Sequence, residues 1–155
     1  MSIHTAKQHL SKWKKDSDIL ILDQSSATVE LAAEALGVTG SEIAKSVSFY
    51  DKCGGVILIV ASGTARIDGR KFKDEFGLKP KMLSSEDVEP LVGHPVGGVC
   101  PFGVKPEVNV YLDDSLKHFE WVYPACGSGN SVIKLSLREL EQSSEYVKWV
   151  SVTKE

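Results

Sequence analysis

Cysteine, long apolar runs and a charge excess of one sign are all scarce in this chain. Its three cysteines, Cys53, Cys100 and Cys126, form no CxxC pair, which excludes a disulfide framework and gives no zinc-ligand spacing. No apolar run approaches the roughly 20 residues needed to cross a bilayer, and the opening segment MSIHTAKQHLSKWKKD lacks the apolar stretch of a secretory signal. A cytoplasmic location is the expectation. Against 21 Asp and Glu stand 18 Lys and Arg, a net charge of -3. Broad contact with a duplex needs many phosphate-neutralising cations, so DNA and membrane surfaces are not expected partners, while a small local phosphate contact stays open. His4, His9 and His118 stand at no metal-ligand spacing. Neither a metal nor a cofactor is expected.

What is present suffices for a core: 42% of residues are apolar and 25% charged, and the length fits one domain spanning 1–155. Ile3, Ala6, Leu10 and Trp13 recur at helical spacing. DILILD reads as a short apolar strand, and SSATVELAAEALG as a helix capped by Ser26 and stopped at Gly37. KSVSFYD alternates Val47 and Phe49 with Ser46 and Ser48, whereas VILIVAS is almost continuously apolar, as a strand covered on both faces is. DKCGG joins the two as a hairpin. DGRKFKDEFG is helical and ends at Gly77; SSEDVEPLVG starts at Ser84, and Pro90 keeps it short. VNVYLD, EWVYPA, SVIKL and EYVKWVSV read as strands, DSLKHF as a helical turn, and Ser136 with Glu139 as a capping box. Helices and strands interleave without a strict βαβ rhythm, which favours an α+β domain with a mixed sheet.

Residues 93–103, GHPVGGVCPFG, hold four glycines and two prolines. The loop lacks the Lys-Ser/Thr ending of a Walker loop and the spacing of a dinucleotide fingerprint. Two readings remain: a structural turn, or backbone presentation, in which Gly97 and Gly98, followed by Pro101, aim N–H groups at an oxyanion or carbonyl. Lys45 opens a strand among small and apolar neighbours. As an edge lysine it snorkels into solvent; as a functional group it holds a phosphate. Cys100 and His94 form either a thiol nucleophile with its imidazole or a packed cysteine beneath the turn. CGSGN, at 126–130, is by default a hairpin.

Taken in order, LGVTGSEIAKSVSF, GHPVGGVCPFG, VYLDDSL and YPACGSGNSVIKL resemble the YbaK/ProX family of aminoacyl-tRNA deacylases, over residues 27–140. These are freestanding counterparts of the editing insertion in bacterial prolyl-tRNA synthetases. The resemblance implies a single α+β domain around a mixed, strongly curved, barrel-like sheet flanked by helices. It implies hydrolysis of the ester joining a wrong amino acid to the terminal ribose of a tRNA, most often tRNA for proline carrying alanine or cysteine. The implied partner is the acceptor end of an aminoacyl-tRNA, with prolyl-tRNA synthetase or an elongation factor as a candidate helper. Lys45, Gly97 and Gly98 are the implied catalytic set, the lysine holding the acceptor-end phosphate or the terminal adenosine and the glycine backbone lying against the ester. Ser46, Val99, Ala125, Gly127 and Ser128 fall at the implied pocket wall, and His94, Cys100 and Pro101 complete the expected substrate-binding set. Ala125 and Cys100 stand where serine often does, and Ser46 where one alanine-specific branch has asparagine, so substrate choice is open. Two competing classes are a non-catalytic module that binds an RNA end or an amino acid, and a thiol hydrolase built on Cys100 and His94.

Overall fold

The computed structural model describes residues 2–155, with side chains from Ile3 onward. In chain order the helices are α1 (Ser2–Ser11), α2 (Val29–Leu36), α3 (Gly69–Phe76), α4 (Ser85–Val92) and α5 (Leu137–Ser144). The strands are β1 (Leu20–Ile21), β2 (Ile43–Tyr50), β3 (Val56–Ser62), β4 (Arg66–Ile67), β5 (Val108–Asp113), β6 (Trp121–Pro124), β7 (Ser131–Val132), β8 (Leu135–Ser136), β9 (Lys148–Val150) and β10 (Thr153–Lys154).

Every residue of β3 is buried, and its two faces feed two cores. Val56, Leu58 and Val60 pack with Ala6 and Leu10 of α1, Val88 and Val92 of α4 and Leu140 of α5. Ile57, Ile59 and Ala61 pack with Phe49, Phe72 of α3, Val150 and Val152. Burial on both sides is why this segment shows no polar alternation. Around β3 runs a strongly curved mixed sheet in the order β8-β6-β2-β3-β5-β9. The β2–β3 hairpin and the β6–β8 pair are antiparallel, while β2–β6, β3–β5 and β5–β9 are parallel. The α+β class with a mixed, curved sheet is therefore as the sequence implies.

Local chemistry sets the ends of the elements. Gly37, Gly77 and Gly93 stop three helices in the left-handed conformation, at φ 69°, 76° and 103°, which costs glycine nothing sterically. Ser136 and Glu139 make the reciprocal capping box that opens α5. Asp113, fully buried at the end of β5, accepts from the Val152 N–H (2.9 Å) through one oxygen. Its other oxygen accepts from the Ser115 N–H (2.9 Å) and the Thr153 hydroxyl (2.7 Å).

Three local expectations change. Thr28, not Ser26, caps α2, its hydroxyl accepting from the Leu31 N–H at 3.2 Å; Ser26 is instead tied to the Gly129 carbonyl through its N–H at 2.7 Å. DILILD contributes only β1, whose two side chains are 45% and 60% exposed because β1 pairs with β7 outside the main sheet. SVIKL divides into β7 and β8, because Ile133 turns into the core between them.

Leu58→Ala removes a fully buried side chain at the centre of the sheet. It is expected to lower unfolding free energy by about 2 to 5 kcal/mol in urea denaturation.

Candidate active site

The serine face of β2 does not lie on open surface: Ser48 is buried and Ser46 half-buried. Ser46 and Ser48 line a cavity of about 240 Å³, bounded by the start of α2, the first half of β2, the glycine loop and the segment around Ala125. Lys45, Ser46, Gly97, Val99 and Ala125 from the sequence-predicted set all stand on its wall. The rest of the wall is mostly apolar, including Ala44, Leu83, Val88 and Val132. Met82 and Val96, 63% and 65% exposed, form part of the lining and reach solvent.

Three loops converge to shape the site. Gly97 takes φ 90°, and a Cβ there would lie 3.0 Å from the Ala27 methyl. A Cβ on Gly98 would lie 2.6 Å from the backbone C of Gly127 and the N of Ser128. Backbone cannot yield as a flexible side chain does, so only glycine fits here. Ser25 and Ser26 in turn bond the Gly129 carbonyl, locking 25–27 to the same turn.

Lys45 is half-buried, and its ammonium donates to the Ala65 carbonyl. Burial lowers its pKa below the ordinary lysine value, and the field of Glu30 works in the opposite direction. The Ser46 hydroxyl oxygen is shielded from water and has no hydrogen-bond partner, an unusual state for a buried polar atom.

The other predicted residues stand behind the wall. Gly98 donates its N–H to the Pro95 carbonyl at 2.9 Å, so it is used inside the loop and cannot serve as an oxyanion donor. Among the described residues, no intramolecular acceptor takes the Gly97 N–H. Gly127 backs Gly98, and the Ser128 hydroxyl lies 2.6 Å from the Ser131 hydroxyl and 3.0 Å from the Asn130 side-chain oxygen. Pro101 is buried, and His94 and Cys100 are fully buried; none of the three lines the cavity.

That placement corrects the thiol reading. His94 Nε2 lies 2.6 Å from the Phe102 carbonyl, so this nitrogen carries the proton and donates it there. Cys100 Sγ sits 3.4 Å from the same nitrogen and 3.7 Å from the same carbonyl. An Nε2 that already donates cannot take the thiol proton. Burial pushes the Cys100 thiol up to about 12 and pushes His94 below the ordinary histidine value despite its bond to Phe102. The pair holds the loop from below.

Sequence reasoning passed over Thr28, Val29, Ser48, Met82, Leu83 and Tyr123, all on the wall. The usable signal was the serine alternation in KSVSF, which marks a face that is neither apolar core nor charged surface. A second, larger recess of about 780 Å³ is lined by Ser41, Thr64, Lys71, Asp113, Asp114 and Glu155 among others. It holds none of the predicted residues, and the carboxylates of Asp113, Asp114 and Glu155 stand there beside Lys71 and Lys154.

Two outcomes test this geometry. Gly98→Ala is expected to destabilise the fold by about 1 to 3 kcal/mol through overpacking, read by urea denaturation. Alkylation with iodoacetamide is expected to modify only the exposed Cys53 in the folded chain, and all three cysteines after unfolding, as counted by mass spectrometry. Rapid modification of Cys100 in the folded chain would contradict its inert thiol.

Comparison with known proteins agrees with this architecture. The sequence pattern of the aminoacyl-tRNA editing domain matches residues 23–142. An uncharacterised protein of Bacillus subtilis, YwhH, is 48% identical over 155 residues, covering 100% of this chain and 99% of its own. EbsC of Enterococcus faecalis, described as a proposed Cys-tRNA(Pro)/Cys-tRNA(Cys) deacylase, is 26% identical over 136 residues, covering 87% of this chain and 82% of its own. Among solved structures, a proposed trans-editing enzyme for prolyl-tRNA synthetase superposes with a TM-score of 0.87 at 25% identity, covering 99% of this chain and 98% of that one. With the editing-domain pattern running through the loops that build its cavity, the chain belongs to the aminoacyl-tRNA editing domain family.

Proposed function

We propose that this aminoacyl-tRNA deacylase works in trans in the cytoplasm, freeing tRNA for proline from a small wrong amino acid, alanine or cysteine first. One observation carries the reading: Lys45 and Gly97, from separate elements, both line a single small, mainly apolar cavity. The names of EbsC and of the trans-editing neighbour support the same class of substrate.

An aminoacyl ester is already activated, so the site needs a placed water and a donor for the developing oxyanion rather than a strong nucleophile. Gly97 supplies that donor in this scheme, its N–H having no acceptor among the described residues. Lys45 leaves the Ala65 carbonyl to hold the phosphate of the terminal nucleotide as a point charge. Its lysine apart, the wall offers no charged side chain, so the proton passes to the ribose hydroxyl or to an ordered water.

Selectivity follows from volume. A synthetase site discriminates poorly between side chains that differ by little apolar surface, and a second hydrolytic pocket admits the smaller one. In this reading the cavity of about 240 Å³, with valine, leucine and alanine walls, receives alanyl or cysteinyl groups, and the prolyl ester is the one expected to be spared. One acceptor end needs few phosphate contacts, which reconciles a net charge of -3 with an RNA substrate. Weak, salt-sensitive binding follows, and help from prolyl-tRNA synthetase or an elongation factor would raise it.

The test is a panel of tRNAs charged with alanine, cysteine, serine, threonine and proline, followed by ester loss. Alanyl or cysteinyl esters on tRNA for proline are expected to be cleaved fastest and the prolyl ester spared. Lys45→Ala is expected to lower deacylation by at least about tenfold, roughly 1.4 kcal/mol of transition-state stabilisation, with an unchanged circular-dichroism spectrum. Binding of the RNA end without ester loss under single-turnover conditions would instead identify a non-catalytic module.

A further inference from the structure

A free α-amino group titrates near 7.7 to 8.0, so an aminoacyl ester entering this cavity carries, in part, a positive charge beside its carbonyl. A buried ammonium requires an anion or a full set of acceptors. Among the residues that line the cavity, the one charged side chain is Lys45, itself a cation. The carboxylates outside the wall are exposed or already bonded. Glu30 is exposed on the first turn of α2, outside the wall. Asp87 accepts from the Tyr50 hydroxyl at 2.5 Å, and Asp113 is saturated by Val152, Ser115 and Thr153. Once Lys45 holds a phosphate, its charge is matched, and no negative charge remains for a second cation.

The polar side-chain atoms that the wall does offer are neutral. Thr28, Ser46, Ser48 and Tyr123 contribute hydroxyls, and the Ser46 oxygen, buried in the wall, bonds to nothing in the protein. A hydroxyl both donates and accepts, which suits an uncharged amine or a second hydroxyl; it accepts from an ammonium as well but supplies no counter-charge.

We infer that the cavity selects acyl groups whose α-substituent is uncharged, so that α-hydroxyacyl esters on a 3′ RNA end are substrates alongside aminoacyl esters. This rests on the reading that the cavity takes the acyl group of an aminoacyl-tRNA. The reaction is the same hydrolysis: water adds to the carbonyl, the bond to the ribose oxygen breaks, and that oxygen takes the proton. No further co-reactant is involved.

The experiment compares the alanyl ester of tRNA for proline with its deaminated counterpart, the lactyl ester, which is nearly isosteric and carries no charge. Each enzymatic rate is divided by the spontaneous hydrolysis rate of the same ester, because the ammonium itself activates the aminoacyl bond. The enhancement for the lactyl ester is expected to equal or exceed that for the alanyl ester. A lactyl enhancement below about one third of the alanyl value overturns the inference while leaving the deacylase reading intact. Cleavage of neither ester, nor of any other in the panel, removes both. A second arm uses Glu30→Gln: an unchanged lactyl-to-alanyl ratio is expected, and a rise of about tenfold would assign Glu30 as the counter-ion of the ammonium and overturn the inference as well.

Discussion

Backbone against backbone, at a distance that admits no side chain, is the constraint on which the site depends. Gly98 meets the Gly127–Ser128 turn with no room for a methyl group, and this contact fixes the height of the glycine loop above the sheet. Gly97 is thereby set against Ala27 at the foot of α2, so two loops and a helix start share one reference point. Beneath them the Phe102 carbonyl collects His94 Nε2 and lies within reach of the Cys100 thiol. The loop is thus supported from both sides by groups with little freedom to shift. Such rigidity is what an oxyanion donor requires, since a dipole that must reorient during reaction loses most of its effect.

Lys45 shows how the same rigidity meets the need for exchange. Its ammonium is satisfied by a neutral carbonyl and not by a carboxylate. A charge-assisted bond to a phosphate oxygen is stronger than a bond to a neutral acceptor, so in the proposed reaction the substrate would take the lysine without having to break an ion pair. Glu30 acts on Lys45 only through its field, which works against the lowering of its pKa by burial. The lysine is therefore held by no close ion pair among the described residues, and its burial is only partial.

The sheet was readable because VILIVAS and the hairpin before it carry signals that tertiary context reinforces. Burial on both faces of β3 is also what removes polar residues from its sequence. The small strands were read less well. Two-residue ladders such as β1 and β7 arise from how neighbouring loops lie and leave almost no periodicity behind. At the site, Lys45 and the two glycines were recognisable as unusual, but sequence spacing cannot distinguish an amide that faces a cavity from one folded into its own turn. Gly98 was accordingly assigned a donor role that its bond to Pro95 forbids. His94, Cys100 and Pro101 illustrate the same limit, since spacing does not tell the buried residues of a loop from those, such as Val96, that it leaves exposed. Thr28, Leu83 and Tyr123 come from other elements altogether, and only the fold brings them to the wall.

Asp113 has a consequence for cooperativity. Its carboxylate sits at the end of a central strand, and two of its three donors, Val152 and Thr153, come about forty positions later. The outer neighbour of that strand, β9, also arrives late. Until residues 152 and 153 dock, that carboxylate is a bare anion at the edge of the most apolar layer, a state that resists compaction. Burying the charge and closing this edge of the sheet are thus one coupled event, which ties together two segments far apart in the sequence.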